Sequence, residues 1–164
     1  MLLRRASADD LAVAGAITEA AYEPYLNGPE DDYRERLRDA AARAREAELW
    51  VATDEETGDL LGNVTVCPPG SPWRELAGPG EGEFRMLAVS PTAQGRGVGE
   101  ALVRLSVDRA REQGARTVVL SSLEQMAAAH RLYRRLGFDR IPERDWEPVP
   151  GVRLIAFRTT LEDR

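Results

Sequence analysis

The residues of this 164-residue chain with the most definite chemistry form a glycine-rich turn, Gln94-Gly95-Arg96-Gly97-Val98-Gly99. An apolar run, Met86-Leu87-Ala88-Val89, leads into it and is closed by Ser90-Pro91. Helix-periodic sequence with Leu102, Leu105 and Ala110 follows it. The first amides of a helix have no partner inside the helix and sit at the positive end of its dipole, so they attract anions. Glycines let the backbone come close to such an anion and tolerate φ > 0. A pyrophosphate is the natural guest. A bare turn without a ligand is the plain alternative. A dinucleotide fingerprint fits poorly, because its third glycine falls one position early, at Gly99, and the turn follows the fourth expected strand instead of the first.

The run Gln94-x-x-Gly97-x-Gly99 resembles the pyrophosphate-binding signature of GNAT acetyltransferases, [RQ]-x-x-G-x-[GA]. Downstream, Ala129-x-x-Leu132-Tyr133-x-x-Leu136-Gly137-Phe138 is similar to the later helix and strand of that family. The match is dense from 83 to 138 and architectural before that. The resemblance implies acetyl-CoA as co-substrate, held by Gln94, Gly95, Arg96, Gly97, Val98 and Gly99, with Leu87, Ala88 and Val89 on the preceding strand offering amides to the reacting oxygen. It also implies direct transfer of the acetyl group to a primary amine in a ternary complex. Met126 departs from the pattern: an asparagine stands there in many members, and methionine donates no hydrogen bond. Gln125 and Ser122 are the nearby substitutes.

Acetyl transfer to an amine needs a proton acceptor, a cradle for negative charge on oxygen and help for the departing sulfur. An alkyl amine with a pKa of about 10.4 costs roughly 4.6 kcal/mol to present neutral at pH 7. The resemblance points to Glu83 as the general base, with Glu81 second; pairing of Glu83 with Arg85 is the structural alternative. Tyr133 is the candidate acid or hydrogen-bond donor for the thiolate, and otherwise a packed helix tyrosine. His130 shares a helix side with Tyr133 and either approaches the cofactor or lies on the surface as a polar histidine. Glu30, Asp31, Asp32, Trp73, Tyr25 and Trp146 are candidates for the acceptor side.

Elements that would position these groups follow from periodicity and breakers. A strand is expected at 2–6, helices at 8–22 and 29–47, and strands at 48–53, 60–66 and 83–89. A helix at 97–113, a strand at 117–120, a helix at 125–136 and strands at 138–145 and 152–160 complete the chain. Ser7 and Asp10 read as a capping-box start. The order predicts one α/β (α+β) domain over residues 1–164, a central mixed, mostly antiparallel sheet flanked by helices on both faces.

Composition narrows the function. The net charge of −6 argues against nucleic acid as partner. All 22 basic residues are arginine, which excludes a P-loop lysine and Schiff-base chemistry. One cysteine, Cys67 in an apolar run, and one histidine leave no expected disulfide or metal site. No apolar run is long enough to span a membrane, and a cytoplasmic location is expected. Dimerisation is common in the family resembled, and nothing in the sequence selects it. Two other readings stay open: a non-catalytic acyl-CoA-binding sensor or partner domain, and a nucleotide-binding domain.

Overall fold

The computed structural model describes residues 1–162; the last two residues of the expected 1–164 domain lie outside the described residues. Eight strands form one sheet. They are β1 (Leu2–Arg5), β2 (Glu48–Thr53), β3 (Leu60–Cys67), β4 (Glu81–Val89), β5 (Thr117–Leu123), β6 (Asp139–Arg140), β7 (Trp146–Val149) and β8 (Val152–Thr160). The order is β1-β2-β3-β4-β5-β8-β6, with β7 on β8. Every pairing is antiparallel except β4 with β5.

Alternation along the strands feeds two cores. On one face, Val64, Val66, Phe84 and Leu120 pack with Leu102, Val103 and Ala110 of α4 (Val98–Glu112) and Tyr133 of α5 (Ala127–Arg135). On the other, Leu49, Cys67 and Met86 pack against α1 (Leu11–Tyr22), α2 (Tyr33–Arg38) and α3 (Ala40–Glu46). This is the mixed sheet with helices on both faces that the element order predicts.

The single helix expected at 29–47 is two. Asp31 accepts the Asn27 and Tyr33 amides at 2.9 and 3.0 Å, which holds the chain in a turn and delays the helix to Tyr33. At Asp39, ψ is +66°, and its carboxylate caps the second piece by accepting the Ala42 amide at 3.0 Å. The strand expected at 138–145 is broken as well. Pro142 opens a 3-10 turn between β6 and β7, and the buried Asp145 carboxylate holds the Ala156 amide at 2.8 Å and pairs with Arg140 at 2.6 Å.

α4 seats its first turns on Gly62 of β3. A Cβ there would lie 2.7 Å from the Ala88 carbonyl oxygen and 3.0 Å from Val98 Cγ1. Gly62→Val is expected to destabilise the fold by about 2 kcal/mol or more, outweighing a strand-propensity gain of at most ~1 kcal/mol. Thermal or denaturant unfolding measures this; unchanged stability would mean that α4 does not depend on that contact.

Candidate active site

The glycine turn is built as its spacing implies. Gly95 and Gly97 have φ of +80° and +78°, and Gly97 caps α4 in the left-handed region. A Cβ on either would meet nothing within 4 Å, so these glycines serve the backbone conformation and leave open space above it. Residues Gln94 to Gly97 are exposed. The first intrahelical bond runs from the Ala101 amide to the Gly97 carbonyl at 3.1 Å. Among the described residues, the amides from Gly95 to Glu100 find no backbone or side-chain acceptor outside the helix. That row of free donors at the positive end of a 15-residue helix fits a diphosphate. The Arg96 side chain is turned to Asp54 at 2.9 Å.

Next to this turn the sheet parts. β4 pairs with β5 only over Glu81–Glu83 against Thr117–Val119. Beyond that both strands continue with no ladder between them, β4 along β3 and β5 along β8. β4 also carries a bulge. Arg85 pairs with Thr65 and Ala88 with Asn63, so Met86 and Leu87 together oppose Val64. Met86 has φ of 54°, the one non-glycine residue in the left-handed region among the described residues. The bulge breaks the alternation that would align Leu87 with Glu83 and Arg85, and re-aims Leu87, Ala88 and Val89 along the open gap.

A cavity of about 460 Å³ lies on the α1–α2 side of that gap. Tyr22, Tyr33, Arg36, Glu75, Arg85 and Met86 line it, and Ser122 and Gln125 border it from the β5 end. Tyr25 and Val149, exposed apolar-bodied residues, flank it too. Beneath it, Arg43 is fully buried, donates to the Leu37 carbonyl at 2.8 Å and touches Met86 Sδ at 3.5 Å. It has no carboxylate in contact among the described residues, and burial lowers its pKa to about 10. Of the acidic start read at 30–32, Asp31 and Asp32 reach the cavity and Glu30 does not. Trp73 and Trp146 also stay outside the lining, their indole N–H groups bonded to Glu46 and Ser121 at 2.9 and 3.1 Å.

Glu83 does not reach the cavity. Its side chain is buried, and its carboxylate accepts the amides of Glu75, Leu76 and Ala77 at 3.0–3.2 Å. Oε1 takes all three, and Oε2 shares only the Glu75 amide, so the carboxylate chiefly fixes that loop. Glu81, the second choice, pairs with Arg144 at 2.8 Å. The carboxylate the loop presents is Glu75, which spacing had not indicated. Its side chain is 25% exposed and lies 2.7 Å from Arg85 Nε. Burial pushes its pKa up by more than the Arg85 charge lowers it.

Tyr133 is buried among Phe84, Phe138 and Phe157, with ring centroids 5.7–6.1 Å away. Its hydroxyl has no hydrogen-bond partner among the described residues, and Tyr133 is not among the residues that line the cavity. Desolvation raises its pKa, making it a donor more than an acid. His130 is buried, contrary to its reading as a surface residue. Its Nε2 lies 3.1 Å from Ser122 Oγ and 3.0 Å from the Leu123 carbonyl, tying α5 to the end of β5. Of the substitutes for an asparagine at Met126, Ser122 thus bonds His130, while the Gln125 side chain borders the cavity and has no hydrogen-bond partner among the described residues. Cys67 is buried, and burial pushes its thiol up to about 12, as an inert core residue requires.

The model of the Acetyltransferase (GNAT) family matches residues 15–138, and the chain belongs to that family. A mycothiol acetyltransferase of Cellulomonas flavigena is 42% identical over 140 residues, 76% of this chain and 40% of that protein. The chain therefore spans about two fifths of the length of that relative. An uncharacterized N-acetyltransferase of Schizosaccharomyces pombe is 34% identical over 63% of this chain and 59% of its own. Among solved structures, yncA of Salmonella typhimurium, determined with its cofactor acetyl-CoA, superposes with a TM-score of 0.69 at 25% identity, covering 100% of this chain and 95% of that one. A Staphylococcus aureus GNAT acetyltransferase reaches 0.75 at 13% identity over 98% and 99% of the two chains, a likeness of fold. Among the described residues there is no helix long and apolar enough to cross a membrane.

Because Glu83 holds three amides, Glu83→Gln keeps one acceptor oxygen for them but removes the charge that strengthens those bonds and sets an NH₂ near the Glu75 amide. The expected loss is about 1–3 kcal/mol of stability, read as a lower unfolding midpoint. A variant as stable as the parent would free Glu83 from its structural role.

Proposed function

We propose that this chain is an acetyl-CoA-dependent N-acetyltransferase acting on a small-molecule primary amine, by direct attack in a ternary complex. The row of unpartnered amides at the open end of α4, beside a sheet that parts into a cavity, carries the reading. Amides 95–100, with Gln94, would hold the diphosphate of acetyl-CoA, and Leu87, Ala88 and Val89 would line its reactive end. When bound, acetyl-CoA supplies an acetyl group activated as a thioester.

The chain's own residues then divide the proton work. Glu75 takes a proton from the acceptor ammonium, directly or through water. A raised pKa suits it, since a base closer to neutrality transfers protons to and from an amine more readily. Glu83 acts one step removed, fixing the loop from which Glu75 projects. Tyr133 donates a hydrogen bond toward the departing sulfur; its raised pKa opposes full proton transfer. Burial of the cavity floor by Met86, Tyr22 and Tyr33 limits water, which strengthens each of these interactions. A sensor domain that only binds acyl-CoA would need the amides of the turn but not a carboxylate of raised pKa in the cavity. The mycothiol acetyltransferase relatives support a soluble small-molecule acceptor over a protein one.

Thiol release from acetyl-CoA, followed over a panel of amines, tests the activity. For the best acceptor, Glu75→Gln is expected to lower kcat by about 10²–10⁴ at neutral pH, with acetyl-CoA affinity retained. The pH profile gives the sign. In the parent, the rate rises as Glu75 loses its proton, above the ordinary carboxylate range, and then levels. In Glu75→Gln, it keeps climbing toward the amine's own pKa of about 10. Parallel profiles would remove Glu75 from the mechanism, and no thiol release with any amine would leave the sensor reading.

A further inference from the structure

We propose that Arg43 is a positioning residue for acetyl transfer, one that fixes the bulge of β4 and so the aim of the Leu87–Val89 amides at the reacting oxygen. This rests on the acetyltransferase reading above and adds to its machinery a residue outside the cavity lining. Two unfavourable features meet at this spot. Met86 is held at φ 54°, a conformation that is strained for a residue with a Cβ. Arg43 is a fully buried cation with no carboxylate in contact and no partner for its Nε among the described residues. Strain of the first kind persists only where the surroundings over-determine it. Apolar side chains filling the same volume commonly give a fold as stable as a buried charge does, or more so, so packing alone does not account for the arginine.

The hydrogen bonds show what the cation holds. Arg43 Nη1 donates to the Leu37 and Arg36 carbonyls at 2.8 and 3.2 Å, in the last turn of α2, and lies 3.5 Å from Met86 Sδ. Nη2 donates to Thr18 Oγ1 of α1 at 3.4 Å. Thr18 Oγ1 lies 3.0 Å from Asn63 Oδ1 on β3, and Asn63 Nδ2 donates to the Ala14 carbonyl of α1 at 3.2 Å. Thr18 and Asn63 are both fully buried, and Asn63 is paired with Ala88 across the ladder. One guanidinium thus reaches β4 by two arms, directly at Met86 and through Thr18 and Asn63 opposite Ala88. The arms land on either side of Leu87. A guanidinium holds its donors in a rigid planar fork, and a buried polar network specifies one arrangement where apolar contact would admit several. The bulge decides which way the amides after Met86 point. Donors to a developing oxyanion are effective when they are aimed before the reaction begins. The network supplies that aim from a layer the reactants do not touch.

The experiment compares the parent with Arg43→Met, Thr18→Val and the double variant, using acetyl-CoA and the amine that gives the fastest thiol release. At saturation and per folded molecule, Arg43→Met is expected to lower kcat by about tenfold to a hundredfold, the effect of donors misplaced by up to about an ångström. The acetyl-CoA Kd from calorimetry stays close to the parent's, because the turn at 94–99 lies outside the network. Thr18→Val cuts the Asn63 arm alone and is expected to lower kcat by about threefold or more; it carries the test if Arg43→Met does not fold. The double variant is expected to be no slower than Arg43→Met, since both changes act on one network. In ¹⁵N spectra of the free proteins, the Leu87–Val89 amides shift and the Gly95–Glu100 amides hold their places. A folded variant with the parent's kcat overturns the inference. So does a slow variant whose Leu87–Val89 amides have not moved, a loss that falls on acetyl-CoA affinity instead of kcat, or single effects that multiply in the double variant. In those cases the acetyltransferase reading stands. A parent that releases no thiol with any amine overturns both.

Discussion

The structure depends on one parting of strands. β4 and β5 are bonded over three residue pairs and then separate, in the middle of a sheet where edges are ordinarily paired. A sheet opened at its centre exposes backbone that must find partners or water, and it does so only if something else holds the two halves apart. Here β4 is kept on β3 by an antiparallel ladder interrupted only at the bulge, and β5 on β8 by seven consecutive pairs. α4 bridges the two halves on one face, and the bulge at Met86–Leu87 bends β4 away from β5. The gap is thus structural, and everything assigned to chemistry borders it: the glycine turn at the end of β4, the cavity beneath Met86, and Tyr133 on the helix that follows β5.

Arginine takes the roles that a mixed set of cations would fill elsewhere. Arg43, buried with no carboxylate in contact among the described residues, ties α2 to the strained bulge. Arg85 joins Tyr33 of α2, Trp73 and Glu75 of the long loop, and β4. Removing one partner of a buried cation is expensive, so these contacts fix how α2 and residues 73–75 sit against the sheet. A rigid cavity wall is what orientation of a small acceptor requires.

Much of this was legible in the residues. Positive φ at 95 and 97 admits glycine almost alone, so the turn announces itself by composition and spacing. Alternation and helical period placed the sheet and three of the helices, and the tyrosine on α5. Where the structure departs from or adds to these expectations, the causes are local. Asp39 sits in a helix-periodic stretch, and only its ψ of +66° reveals that it caps instead of continuing. Glu83 stands on the strand where a base is expected, but its partners, the amides of 75–77, lie in an irregular loop whose path no period encodes. Glu75 was missed for the same reason. The bulge was not written in the sequence either, since methionine at φ 54° has no compositional signal. His130 looked polar and exposed because its partners, Ser122 and the Leu123 carbonyl, are brought to it by the fold.

The central claim is that free amides at the start of α4 bind the diphosphate of acetyl-CoA. The most direct test is a titration of ¹⁵N-labelled protein with acetyl-CoA, and in parallel with inorganic pyrophosphate, following the amide resonances by NMR. The account predicts that the Gly95–Glu100 amides shift most, with both ligands, as each gains an anionic acceptor. Saturable acetyl-CoA binding that leaves those amides in place, while others move, would contradict it.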